Sequence, residues 1–293
     1  MLCEHQPFVD GIVVRSIAVG KCFPDPDDLG RRFELAGSIA IVEVYSDGFG
    51  GVAGSYVLPD LRDRKPPAGY VERAAAGACR VWTPAEATCT PQCAQDTTCD
   101  ATGACVPFQQ PASAGTLTIT GLVASPMIAS PTEFGYTLAP EPPPDGLFDA
   151  GDAITVSASG AAIAPFEATV RGVGDMHIDG IGFYELVDDR DTTITWRPAN
   201  DGSDIEVVLQ VGWHGSPPTG VIACRAPDAA GTIVVSAAVI HELPYLGEIA
   251  LFQNPSWIER VSRTIVEATQ GPIEVTASSR VNLGITHAPA APE

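Results

Sequence analysis

Proline and glycine interrupt this chain so often that a long helix has nowhere to form: 26 prolines and 29 glycines are spread over 293 residues. A proline inside a helix removes a hydrogen bond and clashes with the preceding turn, and each interior glycine costs about 1 kcal/mol. The punctuation leaves short runs rich in valine, isoleucine and threonine, many of them alternating with polar residues as half-buried strands do. Apolar residues make up 45% of the chain, enough for a sizeable core. No apolar run reaches the roughly 18 residues of a membrane-spanning helix, so no transmembrane segment is expected.

The strand-sized runs are spaced as in a β-sandwich. Ser38–Tyr45 and Gly51–Leu58 flank a Ser46-Asp47-Gly48 turn, and Gly77–Trp82 is a short strand. Further runs follow at Thr116–Leu122, Ala153–Ala158, Phe166–Val173, Thr192–Arg197, Ile205–Val211, Gly220–Arg225 and Thr232–Ser236. The turn Pro198–Ser203 makes Thr192–Arg197 and Ile205–Val211 the best hairpin candidate in the chain. Trp257–Ala268 has helical spacing at Trp257, Val261 and Ile265, with Glu259 and Arg263 at i,i+4. Its β-branched content and the run after Gly271-Pro272 favour a strand instead, paired with a last strand over Ile273–Ile285 that bends at Gly284. The one helix expected is a turn or two after Ser236. The fold class is therefore all-β: an antiparallel two-sheet β-sandwich of immunoglobulin or fibronectin-III-like architecture with a disulfide-rich insertion. Residues 1–82 form an N-terminal β region, 83–110 a Cys-rich insertion and linker, and 111–293 the β-sandwich domain, with Trp196 in its core.

Eight cysteines, Cys3, Cys22, Cys79, Cys89, Cys93, Cys99, Cys105 and Cys224, make an even set with one dense knot, the signature of disulfides in a secreted or surface protein. Zinc is the rival for the knot, but its gaps of three, five and five residues lack the Cys-x-x-Cys knuckle of structural zinc sites. The simplest pairing there interleaves Cys89–Cys99 with Cys93–Cys105, one of 105 connectivities open to eight cysteines. Cys79 and Cys224 both fall on expected strands and are natural partners. Residues 1–20 have neither the basic start nor the intact apolar stretch of a signal peptide, since Arg15 interrupts it, so a late start or a mature form is expected. Cys3 is open to two readings, a lipoprotein's acylated cysteine or a disulfide with Cys22.

Several segments carry a family resemblance: Cys89 to Pro107 with its Cys-Asp-Ala-Thr-Gly-Ala-Cys-Val-Pro ending, Ala78–Trp82, Ala114–Leu122, Leu147–Asp152, Ile194–Pro198 and Ile222–Asp228. Together they resemble a loose group of secreted or lipoprotein-type β-sandwich proteins of myxobacteria with a short Cys-rich insertion. The resemblance covers roughly Cys79 to the C-terminus. It implies an extracellular or cell-envelope location and no activity, and it brings no catalytic residues.

The formal charge of −20 excludes a basic nucleic-acid-binding face. Fourteen acids against three arginines fall between Glu141 and Glu206, in clusters that include Asp145, Asp149 and Asp152, Asp175 and Asp179, and Asp188, Asp189 and Asp191. Loop carboxylates between strands suit calcium, with 145–152 and 188–191 the places to look, although none has EF-hand spacing and acidic loops also cap strand ends. His177, between Asp175 and Asp179, could make a carboxylate–imidazole pair, but nothing nearby supplies a nucleophile. His241-Glu242 opens like a zincin helix, yet Tyr245 stands where the second histidine belongs. No Gly-x-Ser-x-Gly elbow and no phosphate loop is present. Trp213 and His214, on a Gly/Pro-rich loop, are the candidate binding pair, with Phe252 and Trp257 a second pair of this kind. These features add up to a non-catalytic structural or interaction protein. Its partner would be an unknown protein or glycan at the cell surface. A calcium-assisted binding module and an acid-residue hydrolase of glycosidase type are the alternatives.

Overall fold

A computed structural model describes, with side chains, residues 70–84, 104–105, 114–123, 125–128, 130, 148–180, 182–212, 218–245, 256–267 and 273–290. It gives the backbone alone of further strand residues. The first strands are β1 (Leu2–His5), β2 (Ser16–Val19), β3 (Leu29–Gly37), β4 (Ile41–Tyr45), β5 (Tyr70–Ala76), β6 (Cys79–Pro84), β7 (Thr97–Cys99) and β8 (Cys105–Pro107). Then come β9 (Leu117–Thr120), β10 (Met127–Thr132), β11 (Gly135–Ala139), β12 (Ala153–Ala158), β13 (Phe166–Arg171), β14 (Phe183–Val187) and β15 (Thr192–Thr195). The last are β16 (Asp204–Val211), β17 (Gly220–Pro227), β18 (Thr232–Val235), β19 (Ser256–Ala268) and β20 (Gly271–Ala288). A single α-helix, α1 (Ala237–Ile240), is described, capped by the Ser236 hydroxyl accepting from the Ala238 N–H, as the sequence led us to expect.

The described structure is mostly β, built around one curled nine-stranded sheet. Its order is β4-β3-β20-β19-β16-β17-β6-β5, with β14 added alongside β20. Strands of the N-terminal region therefore complete the same sheet as those of the C-terminal half. A five-stranded sheet runs β11-β10-β9-β12-β13, and β1-β2, β7-β8 and β15-β18 form two-stranded ribbons. The long β19–β20 hairpin settles the ambiguous segment as a strand. Ile258 and Val266 fall on one face and Trp257, Glu259 and Arg263 on the other, a period of two that a helix would scramble.

Two cores lie on one face of the large sheet. Leu117, Ile119, Ile154, Val156 and Val170 of the five-stranded sheet pack with Ile273, Val275 and Ala277 of β20. Farther along, Ile205, Val207 and Leu209 of β16 meet Trp196, Ile233, Val235, Val239 and Ile240. Each aliphatic side chain buried in this way contributes about 1.5–3 kcal/mol. Cys79 and Cys224 are directly opposite on β6 and β17 and form a disulfide across 145 residues of sequence, as expected. In the chain-entropy model a loop of this size constrains the unfolded state by about 5 kcal/mol.

Two expectations need correction. Thr192–Arg197 and Ile205–Val211 do not form a hairpin. β15 pairs with β18, while β16 lies between β17 and β19. The turn between them is held away from hairpin geometry because the Ala199 and Asn200 N–H groups donate to the Asp228 carboxylate, at 2.7 and 2.9 Å. Antiparallel pairing also fails where β14 runs parallel to the end of β20. The change of neighbour falls at Gly284. Pairing of β20 with β19 stops at Leu283, and pairing with β14 begins at Gly284. A Cβ at Gly284 would sit 2.6 Å from the Phe183 ring, so glycine lets the new neighbour approach.

Candidate functional site

Among the described residues we single out three places with buried charge, and the first is structural. The Arg260–Asp228 ion pair is 1% exposed on both sides. Arg260 Nε donates to Asp228 Oδ1 at 3.0 Å, Nη1 to the carbonyls of Gly174 and Asp175, and Nη2 to the Arg197 carbonyl at 2.7 Å. The Trp196 indole N–H donates to the Asp228 carbonyl at 2.8 Å. One guanidinium thus ties three loops to the sheet. Its fork suits that job, since a lysine presents one point charge and three donors. Neither residue carries a motif, and nothing in the sequence links positions 228 and 260.

The second place is the sheet face opposite the cores. Glu206 is bound by Arg263 at 2.6 Å, Asp204 by Arg225 at 2.5 Å, and Glu259 by Arg280 at 2.9 Å. Burial pushes the Glu206 carboxyl above the usual range, and Arg263 and Arg225 only partly reverse it. The Arg280 guanidinium stacks 4.6 Å from the Trp257 ring centroid, and the Trp257 N–H donates to Glu259. Trp257 is therefore a buried strand residue, not an exposed loop aromatic, because the two-residue period of β19 sets it on this covered face beside Val208. The Tyr70 hydroxyl, which donates to the Pro218 carbonyl at 2.6 Å, is pushed up to about 12 by burial.

The third place is a corner where β14, the loop after it, α1 and the end of β20 meet. Asp188 follows β14, and its N–H donates to the Ala288 carbonyl at 3.3 Å. Its Oδ1 is 2.7 Å from Nε2 of His287, whose side chain is 3% exposed. A carboxylate only accepts, so Nε2 carries the proton. Nδ1 of His287 is buried and has no hydrogen-bond partner among the described residues, and the Tyr245 ring stands edge-on to the imidazole at 6.1 Å. The second oxygen of Asp188 faces Nδ1 of His241 at 3.8 Å. Asp191 Oδ1 accepts from the Ala237 N–H at the start of α1. The loop that presents Asp188 therefore also fixes the helix whose C-cap is His241.

No protein-family model, curated protein or solved structure matches this chain.

The structure distributes the sequence candidates unevenly. Asp149 and Asp152 share a turn in which Asp152 Oδ2 accepts from the Asp149 N–H at 2.7 Å, a loop-capping role. Asp188, Asp189 and Asp191 are adjacent in sequence but do not converge. Asp188 turns to the histidines, Asp191 to α1, and Asp189 to solvent. Among the described residues no group of three or more His, Cys, Asp or Glu donors could hold a metal ion. His177 is exposed, and its carbonyl accepts from the Arg197 N–H. Trp213, His214, Asp145 and Phe252 lie outside the described residues, as do Cys22, Cys89 and Cys93. Cys3 and Cys99 are described only as backbone, on β1 and β7, and Cys105 is disulfide-bonded.

Proposed function

We propose that this chain is a non-catalytic structural or interaction protein that works outside the cytoplasm, in the extracellular space or the cell envelope. The observation that carries the reading is the buried Cys79–Cys224 disulfide, which joins β6 and β17 of the large sheet. Such a bridge persists in oxidising compartments and is rare where cellular thiols keep cysteines reduced. Among the described residues no helix is long and apolar enough to cross a membrane. The five-stranded sheet packed over β20 supports a sandwich-type module of the kind that displays loops to a protein or glycan partner.

The buried ionic groups also favour binding over catalysis. A glycosidase needs two carboxylates turned to a cleft, whereas Glu206 and Glu259 are directly opposite on β16 and β19 and each is bound by an arginine. The Asp188–His287 pair has the form of a base with its orienting group, but among the described residues no hydroxyl or thiol is hydrogen-bonded to Nδ1 of His287.

Fractionation of cells that make the protein, quenched with an alkylating agent at lysis, tests this proposal. Recovery from the medium or envelope with Cys79 and Cys224 joined is the expected result. Recovery from the cytosol with both cysteines alkylated would overturn it.

A further inference from the structure

We propose that Asp188 and His241 form an open surface site for a divalent transition cation of the zinc type, a property beyond the interaction role above. The donors are Asp188 Oδ2 and His241 Nδ1, 3.8 Å apart. Two ligands on one tetrahedral zinc, each about 2.0–2.1 Å from the metal, sit roughly 3.3 Å apart. The gap closes by about half an ångström, within reach of the His241 side chain, which is 69% exposed.

Asp188 is prepared for this role in two ways. Its other oxygen is held by the buried His287 at 2.7 Å, so the free oxygen points in one direction. That bond has the form of the outer-shell hydrogen bonds that orient metal ligands. The helix that ends at the C-cap His241 is anchored to the same loop through Asp191 and Ala237. Both ligands thus move together, and little ordering remains to be done on binding.

The donor set also selects the ion. Calcium and magnesium take oxygen ligands, six or more of them, and gain nothing from an imidazole nitrogen. A nitrogen and an oxygen suit zinc and its borderline neighbours. The calcium expected from the acidic run at 188–191 is thereby replaced by a softer cation, because histidines 53 residues and 99 residues away, and not Asp189 and Asp191, are what face Asp188. Two protein donors leave the remaining positions to water or to a donor from a bound molecule.

The test titrates the full chain, disulfides intact, first with zinc chloride and then with calcium chloride, reading the histidine ring signals by NMR. Zinc should shift the His241 ring and leave His177 in place, and calcium should shift neither. His241→Ala should weaken zinc binding about tenfold or more with an unchanged melting temperature, since the side chain is exposed. His177→Ala should bind zinc as the parent does. The proposal fails if His241→Ala leaves the zinc affinity unchanged, if calcium shifts His241 as zinc does, or if zinc shifts no His241 signal up to about 1 mM.

Discussion

Replacing Arg260 by methionine removes the guanidinium but keeps much of its apolar stem. Asp228, 1% exposed, would keep its bonds from the Ala199 and Asn200 N–H groups and lose the counter-charge of Arg260. The carbonyls of Gly174, Asp175 and Arg197 would lose the same donor together. Breaking a buried ion pair from one side costs about 3–5 kcal/mol. For a chain of this length each kcal/mol corresponds to about 2 °C, so the melting temperature should fall by roughly 6–10 °C. Arg260→Lys should recover only part of that loss, because an ammonium cannot reach all four acceptors. Adding Asp228→Asn to Arg260→Met should cost less than the sum of the single changes, by about 1–3 kcal/mol, since the two residues act as a unit. Calorimetry of the parent, the three single variants and the double variant reads this directly. A loss below about 2 °C for Arg260→Met, or strict additivity in the double variant, would refute the idea that one guanidinium braces three loops.

Three further outcomes follow from the same geometry. Replacing Cys79 and Cys224 together by alanine should destabilise the chain by about 2–5 kcal/mol, measured by urea unfolding under non-reducing conditions. Burial opposes ionisation of Asp201, but hydrogen bonds from the Ser203 hydroxyl and the Gly174 and Ser203 N–H groups, with the Arg260 charge, outweigh it and hold the carboxyl below the usual range. Its stabilisation is therefore complete above the ordinary carboxylate pKa of about 3.8 and lost as pH falls through the lower folded value; Asp201→Asn should melt below the parent at pH 7, and the gap should close in strong acid. Gly121→Ala should destabilise by more than 1 kcal/mol, because Gly121 has φ +83° and a Cβ there would meet the Ala153 carbonyl oxygen.

The strands were most legible where apolar and polar residues alternate and a turn sets the register. Ala153–Ala158 faces Phe166–Arg171 residue by residue across β12 and β13, and the β-branched run after Gly271-Pro272 foretold the β19–β20 pair, although Gly271 and Pro272 themselves already belong to β20. What the chain does with a strand after it forms was less visible. The Pro198–Ser203 turn looks like a hairpin turn locally, yet its N–H groups are claimed by Asp228, which lies 28 and 29 residues away. The parallel β14 is a five-residue run beside a strand about a hundred residues on, and no local pattern predicts such pairing. The candidate site divides in the same way. Asp188 was visible as an acid in an acidic run, but its character comes from His241 and His287, which only the fold brings near.

The intact mass of the native-source protein, alkylated before and after reduction, tests the central claim most directly. The account predicts no alkyl adducts before reduction, eight after it, and a peptide joining Cys79 to Cys224 in the unreduced digest. Adducts on Cys79 or Cys224 of the unreduced native protein would contradict both the stapled sheet and the location outside the cytoplasm.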